Sequence, residues 1–143
     1  MFLLPLKLEP MTLAGRHVRL EPLGLQHVDA LATAGADPAI WTWYPQPNDT
    51  LEATRAWVQT ALDWQAAGRA LPFVQIEPGS GRLIGSTRFS AIEAEHRRAE
   101  IGWTWLTPAA QRTAVNTEAK YLLLRHAFET LGLIRVEFKT DSL

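Results

Sequence analysis

The alternation of hydrophobic and polar positions changes period several times along the first half of the chain. Positions 17–23 alternate between apolar and polar residues, which predicts a strand. Residues 25–34 place their apolar side chains on one side of a short helix. A longer helix is predicted to begin at Asp49, which forms a capping-box pattern with Glu52, and to end at the breaker Gly68.

The middle of the chain has the period of strands. Residues 71–76, 82–91 and 99–106 are strand-like, and polar turns at 77–81 and 93–98 separate them. The first turn contains proline and two glycines, which set the backbone angles that a tight turn needs. Three successive strands joined by short turns predict an antiparallel meander.

A helix and one more strand follow the meander. Apolar residues between Val115 and Leu131 fall on one broad stripe, Gly132 ends the helix, and residues 134–139 form a final strand. A strand–helix–strand crossover beside an antiparallel meander predicts an α+β fold with a mixed, mostly antiparallel central sheet flanked by helices. The length predicts a single domain over residues 1–143.

Composition excludes several classes of function. The 143 residues include 14 Lys and Arg against 15 Asp and Glu, so the basic surplus of nucleic-acid and membrane-surface binders is missing and neither partner is expected. Cysteine is absent and the four histidines lack ligand spacing, so no metal site is predicted. No apolar run reaches the roughly 18 residues of a membrane helix, and the apolar start is a poor signal peptide, so we expect a cytoplasmic protein.

The segment from Leu106 to Lys120 carries the clearest chemical pattern. A strand ends, a loop of small residues turns, and a helix begins. The N-terminus of a helix offers unpaired N–H groups and a partial positive charge, which suit a pyrophosphate, and Arg112 adds a full charge. An ordinary strand-to-helix connection is the alternative interpretation.

Four segments are informative together, and they occur in the order of the predicted elements. They are LAGRHVRLEPL at 13–23, LIGS at 83–86, AEIGW at 99–103 and QRTAVNTEAK at 111–120. In combination they resemble the GNAT N-acetyltransferases, in the branch similar to ribosomal-protein-alanine N-acetyltransferases. The resemblance covers residues 13–141 and implies a splayed sheet of the acyl-CoA N-acyltransferase type.

The resemblance implies transfer of an acetyl group from acetyl-CoA to a primary amine by direct attack. It implies that the backbone N–H of Leu106 holds the developing oxyanion and that the following loop binds the cofactor. The implied cofactor-binding residues are Leu106, Gln111, Arg112, Thr113, Ala114, Val115, Asn116 and Thr117. Ala114 stands where the family has glycine, and Asn116 stands where the family has glycine or alanine. Because alanine adds one methyl and asparagine tolerates left-handed geometry, we expect a working loop with weaker affinity.

Glu100 is the candidate catalytic base. An α-amino group has a pKa near 8, so about a tenth of it is neutral at pH 7 and a modest base suffices, directly or through water. Glu100 lies on a predicted strand between apolar neighbours, where a carboxylate is unusual. A solvent-facing Glu100, or one paired with Arg88 or Arg98, is the alternative.

Three aromatic residues, Trp41, Trp43 and Tyr44, lie in a proline-rich loop. This region borders the acceptor site in the resembling branch, so the three rings are candidate acceptor-binding residues. A hydrophobic plug over the sheet is the alternative. The other tryptophans lie in predicted regular elements and are assigned to packing. They are Trp57, Trp64, Trp103 and Trp105.

The family usually continues with a helix and two strands after the strand at 134–139, whereas this chain ends at Leu143. We therefore expect a C-terminally truncated form of the fold, without the family's pantetheine-binding Asn and its acidic Tyr or Ser. The expected acceptor is a protein N-terminus or a small amine. The alternative function is a truncated, non-catalytic CoA-binding or self-associating module, and exposed sheet edges predict a homodimer.

Overall fold

One mixed sheet organises the protein, and its strands lie side by side in chain order. The computed structural model describes residues 8–42, 44 and 47–139. The strands within those residues are β1 (Leu13–Ala14), β2 (Arg19–Pro22), β3 (Leu71–Ile76), β4 (Leu83–Glu93), β5 (Arg98–Leu106) and β6 (Arg135–Phe138). The helices are α1 (Val28–Ala34), α2 (Leu51–Ala66) and α3 (Ala114–Arg125), with 3-10 turns at Leu25–His27, Pro38–Trp41 and Ala94–His96 and a π-helical turn at His126–Thr130.

The topology confirms the mixed, mostly antiparallel and splayed sheet. Strands β1 to β5 pair antiparallel, while β6 runs parallel to β5 after the α3 crossover. The parallel pairing runs from Arg98 opposite Arg135 to Ile101 opposite Phe138. The N–H of Lys139 donates to the carbonyl of Ile101 at 3.0 Å. From Gly102 to Leu106, no strand among residues 8–42, 44 and 47–139 pairs with that edge of β5.

The two faces of the sheet are covered by different helices. On one face α3 buries Ala119 and Leu123, and the π-helical turn after it buries Ala127, against apolar residues of β3, β4 and β5. On the other face α1 and α2 form a second apolar cluster, which includes Leu31 and Val58. Burial of apolar surface on both faces is the main stabilising contribution, at roughly 25 cal/mol per Å².

A single carboxylate joins α3 to the turn between β1 and β2. Glu118 Oε1 accepts hydrogen bonds from the backbone N–H groups of His17 (2.6 Å) and Val18 (2.9 Å). Burial acts to raise the pKa of Glu118, but these backbone donors outweigh it and hold the pKa below its ordinary value. A Cβ on Gly15 would lie 2.1 Å from the same oxygen and 2.9 Å from the carbonyl oxygen of Val18, so a larger residue there would displace the carboxylate or the turn.

The structure corrects the predicted start of the chain's ordered elements. The sequence pattern predicts no strand before residue 17, yet Leu13–Ala14 pairs with Arg19 and Leu20 as β1. A two-residue strand has too short a pattern to show periodicity. The alternating segment itself begins two residues later than predicted, at Arg19.

The structure also corrects two side-chain assignments. The residue that caps α2 is Thr50, not Asp49, because the Thr50 side chain accepts the N–H of Ala53 at 3.1 Å. The helical pattern predicts a surface or rim position for His126. In the structure, His126 is only 4% exposed. It opens the π-helical turn, where the N–H of Leu131 donates to its carbonyl at 2.9 Å.

Candidate active site at the open edge of the sheet

A β-bulge distorts β5 where the parallel pairing has ended. Ser86 of β4 lies opposite Trp105 and Arg88 lies opposite Gly102, so two residues of β5 stand against one of β4. Trp103 is one of these two residues. Its φ of 55° lies in the left-handed region, which residues other than glycine rarely adopt. Bulges of this kind turn a side chain towards a new direction and bend the strand.

A cavity of about 470 Å³ lies between α2, the bulge and the loop that precedes α2. Its walls are dominated by aromatic rings, with a few small and polar residues. The lining residues are Trp41, Tyr44, Pro47, Asn48, Ala53, Ala56, Trp57, Thr60, Trp64, Arg88, Trp103 and Trp105. A volume of this size suits a small organic molecule.

The tryptophans assigned to packing by sequence therefore line the cavity, and an arginine lies among them. Arg88 is 1% exposed, and its guanidinium carbon lies 4.9 Å from the ring centroids of Trp57 and Trp103 and 5.8 Å from that of Trp64. Burial lowers the pKa of Arg88 to about 10. Sequence periodicity could not show this cluster, because it joins α2, β4 and the bulge of β5.

Two of the three predicted acceptor-binding rings are described, and both lie at the cavity. Trp41 is buried, its indole N–H donates to the carbonyl of Gly35 at 2.8 Å, and its ring lies 5.2 Å from that of Trp105. The Tyr44 hydroxyl donates to the carbonyl of Thr104 at the bulge. These contacts hold the loop against the sheet as well as lining the cavity. Trp43 lies outside the described residues.

Glu100 lies on the same face of the sheet as the cavity, next to it along β5. Its neighbours Ala99 and Ile101 pack towards α3, so Glu100 faces the α2 side, half-buried. It stands opposite Ser90 on one side and Glu137 on the other. Gly102, which pairs with Arg88, is two residues further, or about 7 Å along the strand.

The ion pairs considered for Glu100 are not formed within the described part of the chain. Arg98 instead binds Glu93 at 2.5 Å. This bond is the largest cause that lowers the pKa of Glu93 and raises that of Arg98. Arg88 has aromatic neighbours rather than a carboxylate. The Glu100 carboxylate therefore makes no ion pair with any residue that the structure describes.

The loop between β5 and α3 is held by its own side chains. Gln111 donates from Nε2 to the carbonyl of Leu106 at 3.0 Å, which ties the loop to the end of β5. Arg112 has φ of 59°, a left-handed turn in the place where glycine is usual. Thr113 caps α3: its hydroxyl donates to Ala110 at 2.6 Å and accepts the N–H of Val115 at 3.3 Å.

The start of α3 has the electrostatics of an anion site. By helix geometry the N–H groups of Ala114 and Asn116 have no acceptor inside the helix, whereas that of Thr117 bonds back to the cap. A cavity of about 320 Å³ adjoins this terminus, and its charged lining residues are Arg16, Arg82 and one carboxylate, Glu77. Neither arginine was singled out by the sequence, because both lie far from the loop along the chain and the fold brings them to it.

Residues 8–42, 44 and 47–139 contain neither a membrane-spanning helix nor a cluster of metal ligands. No helix there combines the length and apolarity that crossing a membrane requires. No three metal-ligating side chains are grouped in those same ranges.

Comparison with known proteins identifies the family. The family model described as an acetyltransferase (GNAT) domain matches residues 17–143. A curated protein of Bacillus licheniformis, named an uncharacterized N-acetyltransferase p20, is 28% identical over 131 residues, which are 91% of this chain and 73% of that protein.

Solved structures agree with this match. A GCN5-related N-acetyltransferase from Brucella melitensis is 30% identical with a TM-score of 0.78, over 90% of this chain and 60% of its own. A Chromobacterium violaceum protein assigned to the GNAT family is 30% identical with a TM-score of 0.85, over 98% of this chain and 71% of its own. The chain thus spans less than two thirds of the Brucella protein's length. With a matching family model over most of its residues and this shared fold, the chain belongs to the GNAT family of acetyltransferases.

Proposed function

We propose that this chain transfers an acetyl group from acetyl-CoA to a primary amine. The observation that carries the proposal is the order of features along one segment. Among the described residues, the edge of β5 has no partner strand after Ile101, and the capped N-terminus of α3 follows within one loop. An unpaired strand edge suits an extended pantetheine arm, and a helix N-terminus suits the diphosphate.

The cofactor-binding role falls on the loop and the first turn of α3. The N–H groups of Ala114 and Asn116 face a diphosphate, with the side chains of Thr113 and Thr117 beside them and Val115 supporting the turn. Arg112 supplies a positive charge on the exposed side of the loop. Gln111 acts by fixing the loop to Leu106, since its side-chain amide is already used in that bond.

The reaction is direct attack of a neutral amine on the thioester carbonyl. Glu100 first takes a proton from the ammonium form of the acceptor, directly or through water, which leaves the neutral amine that attacks. The N–H of Leu106 donates to the carbonyl oxygen that becomes negative, and the attacking nitrogen loses its second proton as the amide forms. The new C–N bond forms as the C–S bond breaks, and CoA leaves as a thiolate that takes up a proton. The products are the acetylated amine and free CoA.

The acceptor enters from the aromatic cavity beside the bulge. Trp41 and Tyr44 border it, and the family resemblance assigns Trp43 to the same acceptor-binding role. The acceptor is a protein N-terminus or a small amine that places its nitrogen near Glu100. We further propose that the protein acts in the cytoplasm as a homodimer. The exposed side chains of Ile134 (76%) and Phe138 (45%), at the β6 edge, support self-association.

The test combines calorimetric titration of acetyl-CoA with an assay of thiol release over a panel of amines. The proposal predicts binding and amine-dependent release. Binding without release for every amine would instead support a non-catalytic CoA-binding module. Absence of binding would contradict both functions.

A further inference from the structure

Arg88 is a buried cation without a counter-ion among the described residues. Its Nε and Nη2 atoms are buried and have no hydrogen-bond partner there. Of the described residues that line the 470 Å³ cavity, Arg88 alone carries a charge. Desolvation of a charged group is unfavourable, and each buried N–H without an acceptor adds to the cost.

The three tryptophans compensate this cost only in part. The guanidinium lies over the rings of Trp57 and Trp103 at 4.9 Å and of Trp64 at 5.8 Å. A cation–π contact satisfies the charge of the group but leaves its N–H bonds without acceptors. A guanidinium group with unpartnered N–H groups inside a cavity can bind an anion that enters that cavity.

The free donors select the kind of anion. Nε and Nη2 carry the two N–H bonds of one edge of the guanidinium plane, which is the edge that a carboxylate binds with two parallel hydrogen bonds. The indole Nε1 of Trp105, also buried and without a described partner, lines the same cavity as a further donor. A phosphate dianion would need a second cation, and the described lining contains none.

We propose that Arg88 binds the carboxylate of the acceptor, and that the acceptor is a small amino-acid-like molecule whose amine is acetylated. This assignment rests on the proposed function and narrows its acceptor. The apolar part of the molecule lies against the tryptophans, and its nitrogen points along β5 towards Glu100. Because the guanidinium edge is covered, the ring of Trp64 or Trp103, each 38% exposed, turns aside as the carboxylate enters.

A first experiment measures carboxylate binding without acetyl transfer. Tryptophan fluorescence of the protein is followed during titration with 3-phenylpropionate and isovalerate, each beside its amide. We expect a carboxylate to bind at least about 10-fold more tightly than its amide, as for a site built around hydrogen bonds to one group. In Arg88→Met this preference disappears, whereas Arg55→Met, at an exposed arginine of α2 outside the cavity lining, retains it.

Arg88→Lys keeps the positive charge but loses the two parallel N–H donors. We therefore expect this variant to bind carboxylates weakly, with a smaller preference for a carboxylate over its amide. Circular dichroism checks that each variant is folded. Equal binding of carboxylates and amides by the wild-type protein, or failure of every carboxylate to bind, overturns the inference.

A second experiment separates the inference from the proposed function. Thiol release from acetyl-CoA is measured with amino acids, with their amides and with short peptides. Each kcat/KM is calculated from the concentration of the neutral amine, so that differences in amine pKa do not affect the comparison. We expect a higher kcat/KM for amino acids, and loss of that advantage in Arg88→Met. Release that is equal for acids and amides, or higher for peptides, overturns the inference and leaves acetyl transfer intact. Carboxylate binding without release from any amine overturns acetyl transfer and leaves the carboxylate site intact.

Discussion

The guanidinium carbon of Arg88 lies 4.9 Å from the ring centroid of Trp103, the residue at which β5 bulges with φ of 55°. The bulge thus places a ring over a charge on the neighbouring strand. Regular pairing would turn this side chain elsewhere, because successive residues of a strand face opposite sides. The cavity depends on this irregularity, and so does any chemistry carried out there.

Gly85 permits the close approach of β4 to β5 beside the bulge. A Cβ at this position would lie 2.1 Å from the carbonyl oxygen of Trp105, so one strand must move. We expect Gly85→Ala to lower the free energy of unfolding by about 2 kcal/mol or more, as overpacking against backbone does. Urea denaturation measures this. Gly79→Ala, where a Cβ meets nothing within 4 Å, is the matched control, and equal effects of the two substitutions would contradict the explanation.

Glu118 contributes stability only while it is ionised. Its folded-state pKa is lowered because backbone donors at His17 and Val18 outweigh the opposing effect of burial. This stability is therefore present above the unfolded-state pKa of about 4.3 and is lost as the pH falls through the folded-state value. Glu118→Gln should lower the free energy of unfolding at pH 7 by about 1–3 kcal/mol.

The control for this prediction is Glu129→Gln, at an exposed carboxylate that binds Arg125 four residues away. This variant should unfold close to the wild-type urea concentration. If Glu118→Gln had the same free energy of unfolding as the wild type at pH 7, the hydrogen bonds between Glu118 and the β1–β2 turn would contribute nothing to stability.

His126 should make the fold sensitive to mildly acidic pH. Burial lowers its pKa, so the folded protein keeps the ring neutral while the unfolded chain takes up a proton below about pH 6.5. Stability is thus complete above this pH and declines as the pH falls towards the folded-state pKa. Thermal unfolding between pH 7.5 and 5.5 should show a smaller decline for His126→Phe than for the wild type. The exposed His96 provides the control, and an equal decline in His96→Gln and His126→Phe would contradict the assignment.

Glu100→Gln tests the base. If the carboxylate accepts the amine proton, kcat/KM at pH 7 should fall by about 100-fold or more, and the loss should shrink at higher pH as the amine becomes neutral by itself. Glu95→Gln, at an exposed residue of the Ala94–His96 turn, should leave the rate unchanged. A Glu100→Gln rate equal to the wild type would show that another group, or water, takes the proton.

The fold was predictable where local pattern and tertiary environment agree. The strand Leu71–Ile76 was predicted with its observed bounds, because turn residues and a helix stop flank a continuous strand-like run. The pairing of β6 beside β5 followed from the order of elements. The cap at Thr50 was missed since Asp49 and Thr50 are both good caps and only geometry chooses between them.

The site was predictable only where it is local in sequence. The loop after Leu106 and the start of a helix beyond it follow from consecutive residues. The environment of Arg88 does not, because the two tryptophans of α2 and the one of the bulge reach it from distant positions in the chain. A single tryptophan on a helix has the same pattern whether it fills a core or lines a cavity.

Transfer of an isotopic label tests the central claim most directly. The protein is incubated with acetyl-CoA that carries carbon-13 in its acetyl group, together with an amine panel, and the amines are analysed by mass spectrometry. We expect labelled acetyl groups on the nitrogen of at least one amine, in an amount equal to the CoA thiol released and absent without the protein. Saturation with acetyl-CoA, shown by calorimetry, together with no labelled amine would contradict it.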